Sequence, residues 1–184
     1  MKNISGAVKI SLGFVALLWI VFLLDFWVPA DLRVLGLRPR DTDHLWGILA
    51  APFLHGNLNH LVANTGALLV LLAVSMSFSR KLAYKALFII WILGGTLVWF
   101  FAGSNTVHIG ASGIVFGLIG FLLFVGIFRK EAMAVVCSLA VFFLYGGSLL
   151  ALLSYVPGIS WSGHFFGFAS GVTAAWATKK ARPA

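Results

Sequence analysis

The sequence predicts an all-α, polytopic membrane protein whose fold is a bundle of six transmembrane helices. Of its 184 residues, 61% are hydrophobic and only 10% are charged, whereas an average soluble domain carries roughly 25% charged residues. The mean hydropathy is +1.03, so the lipid bilayer is the expected solvent for most of the surface. The apolar residues also form long segments, which must be helical in lipid because the backbone has to satisfy its own hydrogen bonds.

Six apolar segments are long enough, or nearly so, to cross about 30 Å of hydrocarbon. They cover residues 8–28, 57–78, 83–102, 112–128, 132–154 and 163–178. The fourth and sixth segments are short, which favours places inside the bundle. The first follows two lysines, as a signal peptide would, but its length and the lack of a small-residue cleavage site indicate an uncleaved span. We expect one domain over residues 1–184, with no soluble domain before or after the spans.

The basic residues predict the orientation, because Lys and Arg concentrate in cytoplasmic loops. If the N-terminus is cytoplasmic, ten of the thirteen fall on the cytoplasmic side: Lys2, Lys9, Arg80, Lys81, Lys85, Arg129, Lys130, Lys179, Lys180 and Arg182. The loops near 103–110 and 155–162 carry no basic residue, and both termini are therefore predicted to be cytoplasmic. The net charge of +8 thus follows from topology, and we expect no nucleic-acid partner.

The first outer loop, about residues 29–56, is long for a simple connection. Loops of this length with their own apolar residues are usually structured and functional. Trp27, Leu45 and Trp46 could lie at the level of the lipid headgroups, where aromatic residues are favoured. The alternative is a floppy hairpin.

Polar residues inside a span are costly and are therefore candidates for function. Three segments that are distant in sequence carry such residues at the same predicted outer end. The sets are His55, Asn57, Asn59, His60 and Asn64; Asn105, His108 and Ser112; and Ser160, Ser162 and His164. Unrelated structural polar residues would scatter in depth, so this coincidence predicts one site near the outer face.

The chemistry expected at this site is acyl transfer. Ser112 opens the fourth span, and a glycine-lined contact with the sixth span could bring His164 within hydrogen-bond reach. A serine hydroxyl is a weak nucleophile unless a base such as histidine accepts its proton. His60 and Asn64, four residues apart on one helix face, could stabilise an oxyanion together with the Ser112 N–H. No carboxylate is near, so the sequence allows a dyad, with Phe116 as a packing partner for the imidazole.

These residues resemble the rhomboid intramembrane serine proteases over the second to sixth spans and the first outer loop. The resemblance rests on three motifs: His55-x4-His60-x3-Asn64, Gly110-Ala111-Ser112-Gly113, and Gly163-His164-x2-Gly167-x3-Gly171. It implies a rhomboid-like bundle of the minimal bacterial form in the cell's inner (plasma) membrane, with the active site facing outward. It further implies that the substrate is the transmembrane helix of another protein, which enters past the fifth span and the outer loop 155–162. No cofactor and no metal ion are expected.

The resemblance also implies roles for single residues. Ser112 would be the nucleophile, His164 the general base, and His60 and Asn64 the oxyanion contributors, while His55 looks mainly structural. Supporting positions are Gly110, Gly113, Gly167, Phe116 and Trp46. Two departures stand out: Gly47 follows Trp46 where the family often has arginine, which puts loop-anchoring hydrogen bonds in doubt, and Phe116 stands where tyrosine is common.

Two other classes of function stay open at this point. One is a catalytically silent rhomboid-like protein that binds membrane helices, although such proteins usually lose one residue of the dyad. The other is a transporter, or a carrier of haem or metal, that uses the histidines. Asn57 and Asn59 are interpreted as turn or helix-start residues, and His44 and His108 as solvated loop residues.

Overall fold

The computed structural model describes residues 4–153 and 160–179. Its α-helices are α1 Ile4–Trp27, α2 Gly47–Ala50, α3 Leu58–Phe101, α4 Ser112–Arg129, α5 Ala132–Tyr145 and α6 Trp161–Ala177. Four short 3-10 helices cover Leu32–Leu35, Thr42–His44, Ala51–Phe53 and Gly146–Leu152. No strand occurs within these two ranges. Most of the predicted outer loop 155–162 and three of the basic residues, Lys2, Lys180 and Arg182, lie outside them.

Helix α3 contains two of the predicted spans. Its 44 residues would extend about 66 Å if straight, roughly twice the hydrocarbon thickness. Ser79 has extended backbone angles (φ −165°, ψ 112°) and breaks the helix. Met76 and Ala83, on either side of the break, pack in one cluster with Ala7 of α1. The chain therefore reverses direction at Ser79, and the loop expected between residues 78 and 83 is reduced to this one non-helical residue.

The fold is that of a membrane protein. Four helical segments are long and apolar enough to cross a membrane: α1, α3, α4, and α5 together with its 3-10 extension to Leu152. The fifth predicted span is thus α-helical only as far as Tyr145. Helix α6 has 17 residues, which is at the lower end of the roughly 17–25 that a transmembrane helix uses. The count of six spans and the cytoplasmic position of the termini remain predictions.

Helix α4 lies at the centre of the bundle. Of its apolar segment, 61% is buried, compared with 22% for α1 and 6% for α5 with its extension. Large side chains that are fully buried along α4 include Leu118, Ile119, Phe121 and Leu122. The short fourth span is therefore inside the bundle, as its length predicts, while α1 and α5 are peripheral.

Helices α4 and α6 touch backbone to backbone. A Cβ atom added at Gly167 would collide with the carbonyl group of Gly113, and one at Gly171 would collide with the carbonyl oxygen of Gly117. A Cβ at Gly120 would approach the carbonyl oxygen of Phe168. In lipid, such small residues let helices approach closely enough for extensive van der Waals contact. The glycine-lined contact predicted between the fourth and sixth spans is confirmed.

The first outer loop is ordered, so the floppy hairpin is not what forms. Arg40 donates from its main-chain N–H to Trp99 O (3.0 Å) and from its guanidinium to Phe100 O (2.8 Å) and Ser104 Oγ. The Trp99 indole donates in return to Asp41 O (3.1 Å). These bonds fasten the loop to the C-terminal end of α3.

The packing around Gly47 explains why no arginine follows Trp46, as it often does in the family that the sequence resembles. A Cβ atom there would lie 2.5 Å from Leu37 Cα and 2.7 Å from Gly36 O. Both contacts are with backbone atoms, so no side chain fits at this position. The arginine that anchors the loop in this structure is Arg40.

At the opposite end of the bundle, Arg129 joins three helices. Its guanidinium donates to both carboxylate oxygens of Glu131 (3.2 and 2.9 Å), just before α5, and to Thr178 O at the end of α6 (2.5 Å). Lys130 ends α4 in the left-handed conformation (φ 54°). Nearby, Ser138 of α5 donates to Leu122 O (2.6 Å) and fits against Gly126. Helix α5 is thus held on α4 at this end.

Candidate active site

Eight of the eleven polar residues singled out in the sequence line one cavity of about 1300 Å³, whereas His55, Asn59 and Asn105 are not part of its lining. Its lining includes Ser112 from α4, His164 from α6, and His60 and Asn64 from α3, together with Phe116. Three helix starts that are far apart in the chain therefore contribute to the same space.

Ser112 is the first residue of α4, directly after a tight turn. Gly110 has a positive φ of 105° and donates its N–H to Ala51 O (2.8 Å). A Cβ atom at this position would run into the imidazole of His60. Only glycine fits both requirements, because L-residues rarely adopt this backbone conformation. The turn therefore sets the start of α4 directly against the His60 ring.

His164 lies in the first turns of α6 and is only 8% exposed. Its imidazole stacks on the ring of Phe116, with centroids 4.2 Å apart and planes inclined by 16°. Its Nδ1 atom is buried without a hydrogen-bond partner. No hydrogen bond joins the imidazole to Ser112 Oγ among the described residues, although both side chains line the same cavity. Catalytic hydrogen bonds of this kind are often long in a free enzyme and shorten when substrate binds.

No acid accompanies His164. All five acidic residues of the chain belong to the described part of the structure, and each lies elsewhere. Three of them form pairs: Asp31 with Arg33, Asp41 with His44, and Glu131 with Arg129. Of the other two, Asp25 accepts from Leu32 N and Asp43 belongs to the 3-10 helix Thr42–His44. What holds the imidazole in this structure is aromatic packing.

His55 and Asn64 form a hydrogen-bonded pair beside His60. The Asn64 amide donates to His55 Nε2 (3.0 Å), and His55 Nδ1 lies 3.4 Å from Phe53 O. These partners require the tautomer that carries its hydrogen on Nδ1. The His55 ring also meets the His60 ring edge to face, with centroids 5.1 Å apart. Burial, together with the nearby His60, lowers the pKa of His55 to about 4, so this side chain is neutral at physiological pH.

The start of α3 is fixed by a cap. Asn57 is the N-cap residue, and its side-chain oxygen accepts from His60 N (2.9 Å). Such a cap satisfies one of the N–H groups left free at a helix start. The interpretation of Asn57 as a helix-start residue is confirmed, and the cap sets the position of His60 on the first turn.

A second, smaller cavity of about 60 Å³ also borders Ser112. Gly94, Gly113, Gly163 and Gly167 contribute to its lining. It has room for a few water molecules or one small side chain.

Two predicted positions lie away from the cavity. Trp46 is 53% exposed and stands edge-on to His44, with centroids 5.9 Å apart. This exposure is what a residue at the headgroup level would show. His44 itself lies with Nδ1 2.7 Å from the Asp41 carboxylate. Neither residue contacts the groups around Ser112.

His108 is not a solvated loop residue, and that interpretation is wrong. It is only 9% exposed, and its Nδ1 and Nε2 atoms lie 2.6 Å from Ser160 Oγ and 2.8 Å from Thr106 Oγ. Its main chain forms the antiparallel bridge with Leu37. Burial lowers the pKa of His108 to about 4. The cue available in the sequence is its place four residues before Ser112 and among residues of the same predicted depth.

Metal ligands do not assemble in the described residues, since no group of three His, Cys, Asp or Glu side chains there could hold a metal ion.

Comparison with known proteins gives a family match over most of the chain. The family model described as Rhomboid domain matches residues 42–181. An uncharacterized protein of Mycobacterium tuberculosis is 46% identical over 90% of this chain and 72% of its own length. RHOMBOID-like protein 5 of Arabidopsis thaliana is 30% identical over 76% of this chain and 47% of its own. YdcA of Bacillus subtilis, named provisionally as a rhomboid protease, is 27% identical over 89% of this chain and 84% of its own.

Proposed function

The chain belongs to the rhomboid family, and from this premise we propose that it is an intramembrane serine endopeptidase. The observation that carries the proposal is the single cavity lined by Ser112, His164, His60 and Asn64. A nucleophile, a base and two donor side chains on three different helices are the set that acyl transfer requires. The substrate would be a transmembrane helix, cut in or near its outer end.

In the proposed reaction, Ser112 Oγ attacks the carbonyl carbon of the scissile bond while the His164 imidazole accepts the hydroxyl proton. The imidazolium then gives this proton to the leaving amine, and water enters to hydrolyse the acyl-enzyme with His164 again as the base. Because no carboxylate lies behind His164, the stack on Phe116 keeps the imidazole in place. Ser112 and His164 thus act as a dyad.

The tetrahedral intermediate needs donors for its oxyanion. The N–H of Ser112 lies at the start of α4, where main-chain donors are free of helical partners and the helix dipole is positive. Asn64 has two amide hydrogens, of which one is used by His55, so the other remains for substrate. The His60 imidazole, held against Gly110, supplies a further donor.

Substrate entry is proposed past α5. Only Ala134 and Val141 of this helix are buried, whereas Tyr145 at its end, and Ser148 and Ala151 beyond it, line the cavity. A helix with so little buried surface can be displaced at low cost. A substrate helix would have to unwind at the scissile bond, so poor helix formers such as glycine near this bond should be favoured.

The proposed setting is the cell's inner (plasma) membrane, with both termini cytoplasmic and the cavity facing outward. The Lys and Arg distribution supports this orientation. Arg80, Lys81, Lys85, Arg129 and Lys130 all belong to the end of the bundle opposite Ser112.

The proposal is tested with a transmembrane peptide reconstituted in liposomes and with a fluorophosphonate probe. The parent protein should cleave the peptide and become labelled, and the Ser112→Ala variant should do neither while it keeps the thermal unfolding midpoint of the parent. Ser170→Ala is the matched control, because Ser170 is a buried serine of α6 whose hydroxyl donates back to Phe166 O of its own helix (2.7 Å). It should remain active.

Equal cleavage by the parent and the Ser112→Ala variant would falsify the proposal. A different result is that the parent and the Ser112→Ala variant both fail to cleave the peptide but bind it equally. The chain would then be a catalytically silent rhomboid-like protein that binds membrane helices.

A further inference from the structure

His108 connects three parts of the outer face. Its main-chain N–H and C=O bond to Leu37 of the first outer loop (2.9 and 3.0 Å). Its ring bonds to Thr106 in its own loop (2.8 Å) and to Ser160 at the start of α6 (2.6 Å). Only 9% of the surface of His108 is exposed, and this exposed part lies at the lining of the large cavity. His108 is not the proposed nucleophile, the proposed base or one of the proposed oxyanion donors.

The hydrogen bonds around His108 are satisfied by one arrangement of hydrogens. Thr106 Oγ donates to Gly103 O (2.5 Å), so it accepts from His108 Nε2–H. His108 Nδ1 is then bare and accepts the hydroxyl hydrogen of Ser160. The Ser160 oxygen, in turn, accepts from Gly163 N (3.1 Å). Burial disfavours the charged imidazole, which keeps this arrangement at neutral pH.

Ser160 is the residue through which this network reaches the site. It is the N-cap of α6: its hydroxyl accepts from Gly163 N, and its carbonyl oxygen accepts from His164 N (3.1 Å). A capping side chain that is free to rotate can leave the helix, whereas this one is held by His108. The first turn of α6 therefore has its position set from the loop that leads into α4.

We propose that His108 is a positioning residue for the base: through Ser160 it holds the first turn of α6, and with it His164, against the start of α4 and Ser112. This inference rests on the proposed function, since a base needs precise placement only if the serine reacts. His108 lines the same cavity, but it is not one of the proposed reacting groups. Its effect is on the distance and the angle between the two members of the dyad.

The test measures the kcat and KM of peptide cleavage in liposomes and the rate of fluorophosphonate labelling for His108→Ala, Ser160→Ala and the double variant. Each single variant should lose roughly tenfold in kcat and in labelling rate, because a displacement of a fraction of an ångström at a reacting pair is costly. KM should change less than twofold. The double variant should be no slower than either single variant, because both substitutions break the same connection.

Conservative variants separate positioning from a loss of folding. Ser160→Thr keeps the hydroxyl and His108→Asn keeps an acceptor towards Ser160, so both should recover most of the lost kcat. Ser170→Ala and Arg40→Ala are controls: the first removes another hydroxyl of α6, and the second loosens the outer loop at Phe100 and Ser104 without touching Ser160. In folded protein both should keep the parent's kcat.

Several results would overturn the inference. Multiplying losses in the double variant would mean that the two residues act independently. A loss confined to KM or to the folded fraction, or Ser160→Thr as slow as Ser160→Ala, would show a structural role only. If His108→Ala does not fold, the Ser160 pair and His108→Asn decide in the same way. If the parent itself is neither active nor labelled, the proposed function fails and this inference fails with it.

Discussion

The contact between α4 and α6 predicts that one methyl group at Gly167 disables the protein. A Cβ atom there would lie 2.9 Å from Gly113 C and 3.0 Å from Gly113 Cα, and closer still to Gly113 O. Unbonded carbon atoms pack at about 3.5–4.0 Å, so the helices must separate by nearly 1 Å. The atoms in contact are all backbone, and no side chain can rotate away. The displaced residue, Gly113, follows Ser112 directly, while Gly167 is one turn from His164.

The cost in stability follows from two opposing effects. Overpacking costs about 1–3 kcal/mol, and the upper end applies here because only a helix shift relieves the contact. Replacing a helical glycine by alanine returns up to about 1 kcal/mol. We therefore expect Gly167→Ala to lower the free energy of unfolding by about 2 kcal/mol. Activity per folded molecule should fall about 100-fold, the loss typical of a 1 Å displacement at a reacting pair.

Gly66→Ala is the matched control, because a Cβ atom at Gly66, inside α3, meets nothing within 4 Å. Unfolding free energies in detergent and cleavage rates in liposomes would be compared for both variants. The control should be at least as stable as the parent and equally active. If Gly167→Ala matches the control within about 0.5 kcal/mol, a difference expected of an ordinary surface site, the backbone contact between α4 and α6 is not as close as described.

Three further predictions follow from the outer loops and the opposite end of the bundle. The pKa of both His55 and His108 is about 4 in the folded protein and about 6.5 in the unfolded chain, so the unfolded chain binds more protons between these two values. The free energy of unfolding should therefore be constant above pH 6.5 and fall by about 2 kcal/mol per histidine by pH 5. Denaturation across this pH range measures the effect, and a flat profile would contradict the burial of the two rings. Gly47→Ala should lower the unfolding midpoint by several degrees, since its Cβ meets the backbone of Leu37, and an unchanged midpoint would argue against that packing. Arg129→Gln should lower the free energy of unfolding by about 1–3 kcal/mol in the same assay, because Thr178 O loses its charged donor. An unchanged free energy of unfolding would show that water caps this end of α6 instead.

The periodic and compositional features of the sequence were sufficient to predict the helices. Apolar segments long enough for a bilayer have one structural solution, the helix, and the spacing of Gly113, Gly117, Gly167 and Gly171 predicted which two helices touch. Ser112 could be identified as a functional candidate because a polar side chain at the outer end of a membrane span is costly and is seldom present without a role. These properties are local, and each can be evaluated from neighbouring residues alone.

Other features depended on contacts between distant segments. From the sequence, His108 is a loop residue, and only the structure shows that the hydroxyl of Ser160, 52 residues later, donates to its ring. Arg40 reads as one of three loop arginines until its bonds to Phe100 O and Ser104 appear. The sequence suggested that Gly47 replaces an arginine and that the loop loses hydrogen bonds there. The structure shows instead that the backbone of Leu37 leaves no room for a side chain at this position. A single chain does not reveal such pairings, because many partners of equal chemistry were available to each residue.

The supports of the candidate site are separate from the helix proposed to admit substrate. The glycine contact, the stack of Phe116 on His164 and the bonds of His108 with Ser160 all join α4, α6 and the outer loops. Helix α5 is held mainly at the opposite end, where Ser138 meets α4, and its 3-10 extension is joined to α6 through the bond from the Trp161 indole to Leu152 O (2.6 Å). A displacement of the outer end of α5 therefore breaks few contacts of the dyad. In the proposed mechanism, an entrance for a substrate helix would open at α5, while the distance between Ser112 and His164 would be kept by contacts between α4, α6 and the outer loops.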